Sequence, residues 1–122
     1  MAAELLLIEV TGGDGSVPEP EWLVRAEPVH RQLRTGLPPD YAARLREIFT
    51  AGARMTVATE GDVVRGVALW RVVENTYEGR RLYVDDLVSD EAFRSRGIGS
   101  TLLRHLEHKA RDLDCDVLAL DS

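Results

Sequence analysis

One stretch constrains this chain more than any other. It is Leu82-Tyr83-Val84-Asp85-Asp86-Leu87-Val88-Ser89, followed by Arg94-Ser95-Arg96-Gly97-Ile98-Gly99. The first part reads as a strand and the second as a glycine-bearing turn. A helical pattern opens directly after it, with Leu102, Leu103, Leu106, Ala110 and Leu113 on one face. A helix amino end has free backbone N–H groups and the positive end of the helix dipole. Gly97 and Gly99 remove the Cβ atoms that would hold an anion away from those amides. Arg94 and Arg96 add fixed positive charge beside them. The expectation is a pyrophosphate site at this turn.

The rest of the chain supplies a sheet and its helical cover. Leu5 to Val10 reads as a first strand, and Thr11 to Ser16 as a flexible turn that opens no helix. Pro18 to Arg34 is a weaker helical pattern with Trp22, Val29 and Leu33 on its apolar face and Pro28 as a break. Asp40 is an N-cap for a helix over Tyr41 to Ala51, stopped by Gly52. Met55 to Thr59 and Val63 to Val73 read as strands around a tight connection. The second is apolar on both faces, with Val64, Ala68, Trp70 and Val72 on one and Val63, Val67, Leu69 and Val73 on the other. A strand of that kind sits in a sheet with helices above and below. Residues 75 to 80 form a hairpin loop before the acidic strand. After the long helix, to about Asp114, Cys115 to Leu120 is a final strand. One helix between two strands predicts a parallel crossover.

Composition bounds the rest. A chain of 122 residues is one domain. A net charge of −6 disfavours nonspecific binding to nucleic acid or to an anionic membrane. No apolar run is long enough to span a bilayer. Cys115 is the only cysteine, so no intrachain disulfide forms, and one Cys with three scattered His makes no metal cluster. A reducing, cytoplasmic setting fits. Lys109 is the only lysine, a bias that points to a GC-rich bacterial genome.

Arg94, Gly97 and Gly99, placed after a strand and before a helix, resemble the acyl-CoA loop of the GNAT (Gcn5-related) N-acetyltransferase family. The run Tyr83 to Val88 is similar to the strand that family places before the loop. The resemblance implies an α/β (α+β) fold, a mixed central sheet flanked by helices in the order β-α-α-β-β-β-α-β. It implies acetyl-CoA as acyl donor, a primary amine of a small molecule or peptide as acceptor, and no metal. The backbone of Leu87, Val88 and Ser89 would hold the acyl carbonyl and the pantetheine amides, with a bulge or splay there to free the N–H groups. Ser95 to Ser100 would hold the pyrophosphate, with Arg94 and Arg96 beside it and Ile98 packing the loop down. Trp22 would either line an acceptor pocket or serve as packing.

The family pattern continues past the last strand with a helix and a strand pair, and no positions here match them. Three readings stay open: a fragment of a longer protein, a homodimer in which a second copy supplies the missing elements by strand exchange, and a degenerate domain. The tyrosine that often protonates the leaving thiolate in the family has no counterpart. Tyr77 and Tyr83 read as hairpin and buried residues.

Acyl transfer to an amine needs a base, because an alkylammonium of pKa about 10.4 is not a nucleophile. Asp85 and Asp86 are the candidates, and strict alternation sends them to opposite faces. For each, a catalytic role stands beside a structural one, such as pairing with Arg80 or Arg81. His105 and His108 read as helix-surface residues, and Cys115 as a small core residue. The leading reading is an N-acetyltransferase. The others are a CoA-binding or protein-interaction module without turnover, and a Rossmann-like nucleotide unit, which would need its glycine loop after the first strand.

Overall fold

The computed structural model describes residues 4–93 and 96–120. Strands β1 (Leu6–Glu9), β2 (Arg54–Glu60), β3 (Val63–Asn75), β4 (Gly79–Ser89) and β5 (Val117–Leu120) form one sheet in chain order. The first three pairings are antiparallel and β4 with β5 is parallel. Helices α1 (Pro20–Leu33) and α2 (Tyr41–Thr50) precede β2, and α3 (Ile98–Asp112) links β4 to β5. This is the mixed, helix-flanked sheet that the alternation and helical spacing predict.

Each face of the sheet carries its own core. Leu23, Ala26 and Val29 of α1 and Tyr41, Leu45 and Phe49 of α2 pack with Val57, Val67, Leu69 and Val88. On the other face, Ile98, Leu102, Leu106 and Ala110 of α3 pack with Ala58, Ala68, Trp70, Leu82 and Val84. Covering both faces explains why β3 reads as apolar throughout.

Four expectations need correction. Helix α1 runs unbroken through Pro28. The N–H that proline lacks would bond the carbonyl of Val24, which lies on the solvent side, 63% exposed. The buried stripe of α1 is Leu23, Ala26, Val29 and His30, while Leu33 is exposed. A histidine joins that stripe because both its nitrogens find partners, as described below.

The other two corrections come from bulges. Ala58 pairs with Gly66 and Thr59 with Val64, so Arg65 is an extra residue in β3. It moves Val64 onto the face of Val67 and Leu69. In β4, Leu69 pairs with Asp86 and Trp70 with Val84, leaving Asp85 without an opposite residue. Val84 therefore faces α3 and Val88 faces α1. Asp85 and Asp86 do not alternate: Asp85 bonds Arg71, which follows Leu69 on the α1 face, and Asp86 bonds His30 of α1.

Gly66 is set by packing. A Cβ built on it would lie 2.5 Å from Ile98 Cγ2 and 2.9 Å from Leu102 Cδ1. The first turn of α3 thus rests directly on the β3 backbone, which fixes where the turn before it can go.

Candidate functional site

The turn ahead of α3 presents the helix's amino end. Gly97 is the N-cap, with φ of 76° in the left-handed region where side chains are strained, and no side chain caps the helix. The first helical bond in this turn runs from Thr101 N–H to the Gly97 carbonyl, so the amides of Ile98, Gly99 and Ser100 precede the ladder. Ile98 is buried against the core and anchors the turn. Gly99 has ordinary helical geometry, and among the described residues a Cβ there would meet only Ser89 Oγ at 3.5 Å. Among the described residues, neither backbone nor packing calls for glycine at 99.

Arg96 is exposed, with its guanidinium 5.3 Å from the centre of the Phe93 ring. Arg65 lies 3.6 Å from the same ring. Phe93 therefore holds two cations at the end of β4. Arg94 and Ser95 lie outside the described residues. Leu87, Val88 and Ser89 pair on one side with Ala68, Val67 and Gly66. On the other side, β5 pairs with Arg81 to Val84. The bulge lies at Asp85, just before the three residues where a bulge or splay was expected.

That bulge gathers a polar network. His30 Nε2 donates to Asp86 Oδ2 at 2.8 Å, and His30 Nδ1 lies 2.7 Å from the Tyr41 hydroxyl. With Nε2 carrying the proton, Nδ1 accepts from Tyr41. Arg34 Nε donates to Asp86 Oδ1 at 2.7 Å, and its Nη2 reaches the Asp85 carbonyl at 3.3 Å. Burial pushes the Asp86 carboxyl up, but the bonds from His30 and Arg34 outweigh it and hold it below the usual carboxylate range. Burial, joined by the Glu27 charge, raises the Tyr41 phenol. Asp85 takes one bond from Arg71 Nε at 2.7 Å, and its side chain is 25% exposed against 7% for Asp86.

The two aspartates thus share a face and differ in accessibility. Neither pairs with Arg80 or Arg81, which bond Leu113, Glu74 and Glu78 instead. Trp22 is part-buried against the core, with Arg25 over its ring. Tyr77 is exposed in the hairpin, and Arg81 stacks over Tyr83. Burial raises the Cys115 thiol, which suits a packing residue. His105 makes a 2.6 Å bond to Glu9, a partner that helix spacing alone does not reveal.

His30, Arg34 and Tyr41 are absent from the sequence-level candidates. The signal for His30 was the spacing Leu23, Ala26, His30, which puts a histidine on the buried stripe. Its carboxylate partner lies 56 positions away, and no local pattern names it.

Comparison with known proteins agrees with this fold. The model of the acetyltransferase (GNAT) family matches residues 20–122. Thialysine N-epsilon-acetyltransferase of Bos taurus is 29% identical over 85 residues, covering 70% of this chain and 48% of that protein. The chain spans about half or less of the length of the curated relatives it matches. Among solved structures, aminoglycoside N-acetyltransferase AAC(6')-Iy in complex with CoA superimposes with a TM-score of 0.81 at 18% identity. That match covers 100% of this chain and 79% of the other. An acetyltransferase of Trypanosoma brucei gives 0.76 at 21% identity, covering 98% and 83%. At such identities the structures show the shared fold.

Proposed function

Because the chain belongs to the acetyltransferase (GNAT) family, we propose that it carries an acetyl group from acetyl-CoA to a primary amine of a small molecule or peptide. The observation that carries this reading is the amino end of α3, which no described side chain caps, with a glycine at 99 that no described neighbour requires. The amides of Ile98, Gly99 and Ser100 hold the pyrophosphate of the donor, with Arg96, Arg94 and Ser95 beside it. The backbone of Leu87, Val88 and Ser89 lines the acyl and pantetheine arm. The substrates named for the relatives are amines, which supports an amine acceptor.

Acyl transfer forms an N–C bond, breaks a C–S bond and takes one proton from the amine. Of the two candidate catalytic aspartates, Asp85 is the base, because its carboxylate is accessible and makes a single bond. Asp86 is the positioning partner: His30 and Arg34 occupy both its oxygens, and it fixes the bulge that presents Asp85.

The test is titration of the chain with acetyl-CoA, followed by thiol release in the presence of a panel of amines. Binding near one site per chain, with amine-dependent thiol release, supports the reading. Binding without release for any amine would reduce the chain to a CoA-binding module. No binding by the folded chain would remove the cradle itself.

A further inference from the structure

A cavity of about 300 Å³ lies away from the α3 amino end. It is lined by Glu9, Arg54, Trp70, Arg80, Lys109 and Leu113, among others. Lys109 lies eleven residues beyond Ile98, so the cavity is about 16 Å along α3 from the glycine turn. Trp70 opens onto it from the sheet face opposite Asp85 and Asp86.

The charges that line it do not cancel. Arg54, Arg80 and Lys109 give three positive charges, against the one carboxylate of Glu9. That carboxylate is already engaged: Thr56 Oγ1 donates to it at 3.1 Å, and His105 Nε2 lies 2.6 Å from it. Arg54 spends its N–H groups on the neutral carbonyls of Gly13, Phe49 and Ala53, with the Asp14 carboxylate acting on its charge from the neighbouring turn. Arg80 donates to the Leu113 carbonyl, and exposed Glu74 reaches it from solvent at 3.4 Å. The ammonium of Lys109, the only lysine in the chain, bonds no other described residue. Asp14 and Glu74 act on Arg54 and Arg80 from outside the lining, so the Lys109 ammonium is the lining cation with no carboxylate partner among the described residues, and the carboxyl end of α3 offers it only about half a negative charge.

The cavity also has an apolar wall. Trp70 is held with its indole N–H on Thr56 Oγ1 at 3.0 Å, leaving ring surface beside Val72 and Leu113. A few polar groups over an apolar floor, in a volume of this size, are the marks of a small-molecule site. We propose that this cavity binds a small organic anion, a carboxylate on an apolar or aromatic body. Lys109 and Arg80 take the carboxylate and Trp70 with Leu113 takes the body. This inference stands independently of the acetyl-transfer reading.

The test uses 3-phenylpropionate as probe and 3-phenylpropan-1-ol as its uncharged counterpart. The readout is the indole N–H resonance of Trp70 in the full chain, assigned against Trp22→Phe, since the chain has two tryptophans. The acid should shift the Trp70 signal saturably, at roughly ten times lower concentration than the alcohol, because a charged hydrogen-bond partner is worth at least that. Lys109→Gln should weaken the acid by a similar factor while leaving the Trp70 signal of the free protein in place. Equal response to acid and alcohol, movement of Trp22 alone, or no saturable shift would each overturn the proposal. The acid–alcohol comparison needs no variant, so it decides even if Lys109→Gln misfolds.

Discussion

Gly66 and Ile98 approach so closely that a single methyl group cannot fit between them. A Cβ on Gly66 would stand 2.5 Å from Ile98 Cγ2, well inside van der Waals contact. The strand that pairs with Leu87 to Ser89 therefore also sets the height of the turn proposed to hold pyrophosphate.

Gly66→Ala should lower stability by about 1–3 kcal/mol and weaken acetyl-CoA binding, because α3 must lift to admit the methyl group. Adding Ile98→Ala removes the nearer clash and should restore part of the affinity. Denaturant unfolding and calorimetric titration read the two effects. An unchanged affinity in Gly66→Ala would uncouple helix seating from the cradle.

Gly99→Ala separates ligand approach from stability. The position is helical and uncrowded, so alanine should keep or raise stability by up to about 1 kcal/mol. Acetyl-CoA affinity should nonetheless fall, together with that of Arg96→Glu, whose reversed charge faces the same anion. A Gly99→Ala protein that binds as before would return this glycine to an ordinary helix residue.

Asp85→Asn should lower turnover by roughly 10²–10⁴, the range of a lost general base, with acetyl-CoA affinity unchanged. Asp86→Asn should instead lower stability, by about 1–3 kcal/mol, since it removes the charge and replaces one of the two acceptor oxygens with an amide donor that faces His30 or Arg34. Paired measurements of turnover and unfolding on both variants test the assignment. The opposite ranking would make Asp86 the base.

The Asp86 carboxyl has a folded pKa below its unfolded value of about 3.9. Its contribution is therefore fully present above that value and is lost as pH falls from there through the lower folded pKa. Urea unfolding midpoints between neutral and acid pH should fall more for the unmodified chain than for Asp86→Asn. Parallel curves would mean that the network contributes no stability linked to this proton.

The sheet, its helices and the glycine turn were legible in the sequence because periodicity and turn chemistry are local. Leu102, Leu106 and Ala110 mark the buried face of α3, and Asp40 caps α2 by accepting from the Ala43 amide. The carboxylate network was not legible. Strict alternation cannot anticipate the extra residue at Asp85, and the partners His30, Arg34 and Arg71 arrive from distant segments. Gly66 likewise reads as a plain strand glycine until α3 is laid upon it.

The bulge at Asp85 acts as a phase shift in the strand. Even-numbered residues face α3 upstream of it and α1 downstream, so deleting Asp85 would close the bulge and leave Leu87 and Val88 on their present sides of the sheet. Loss of this one residue should therefore spare the register of β4 while removing the proposed base. A deletion scan along β4 would therefore separate what this strand must be in register from what it must be in chemistry.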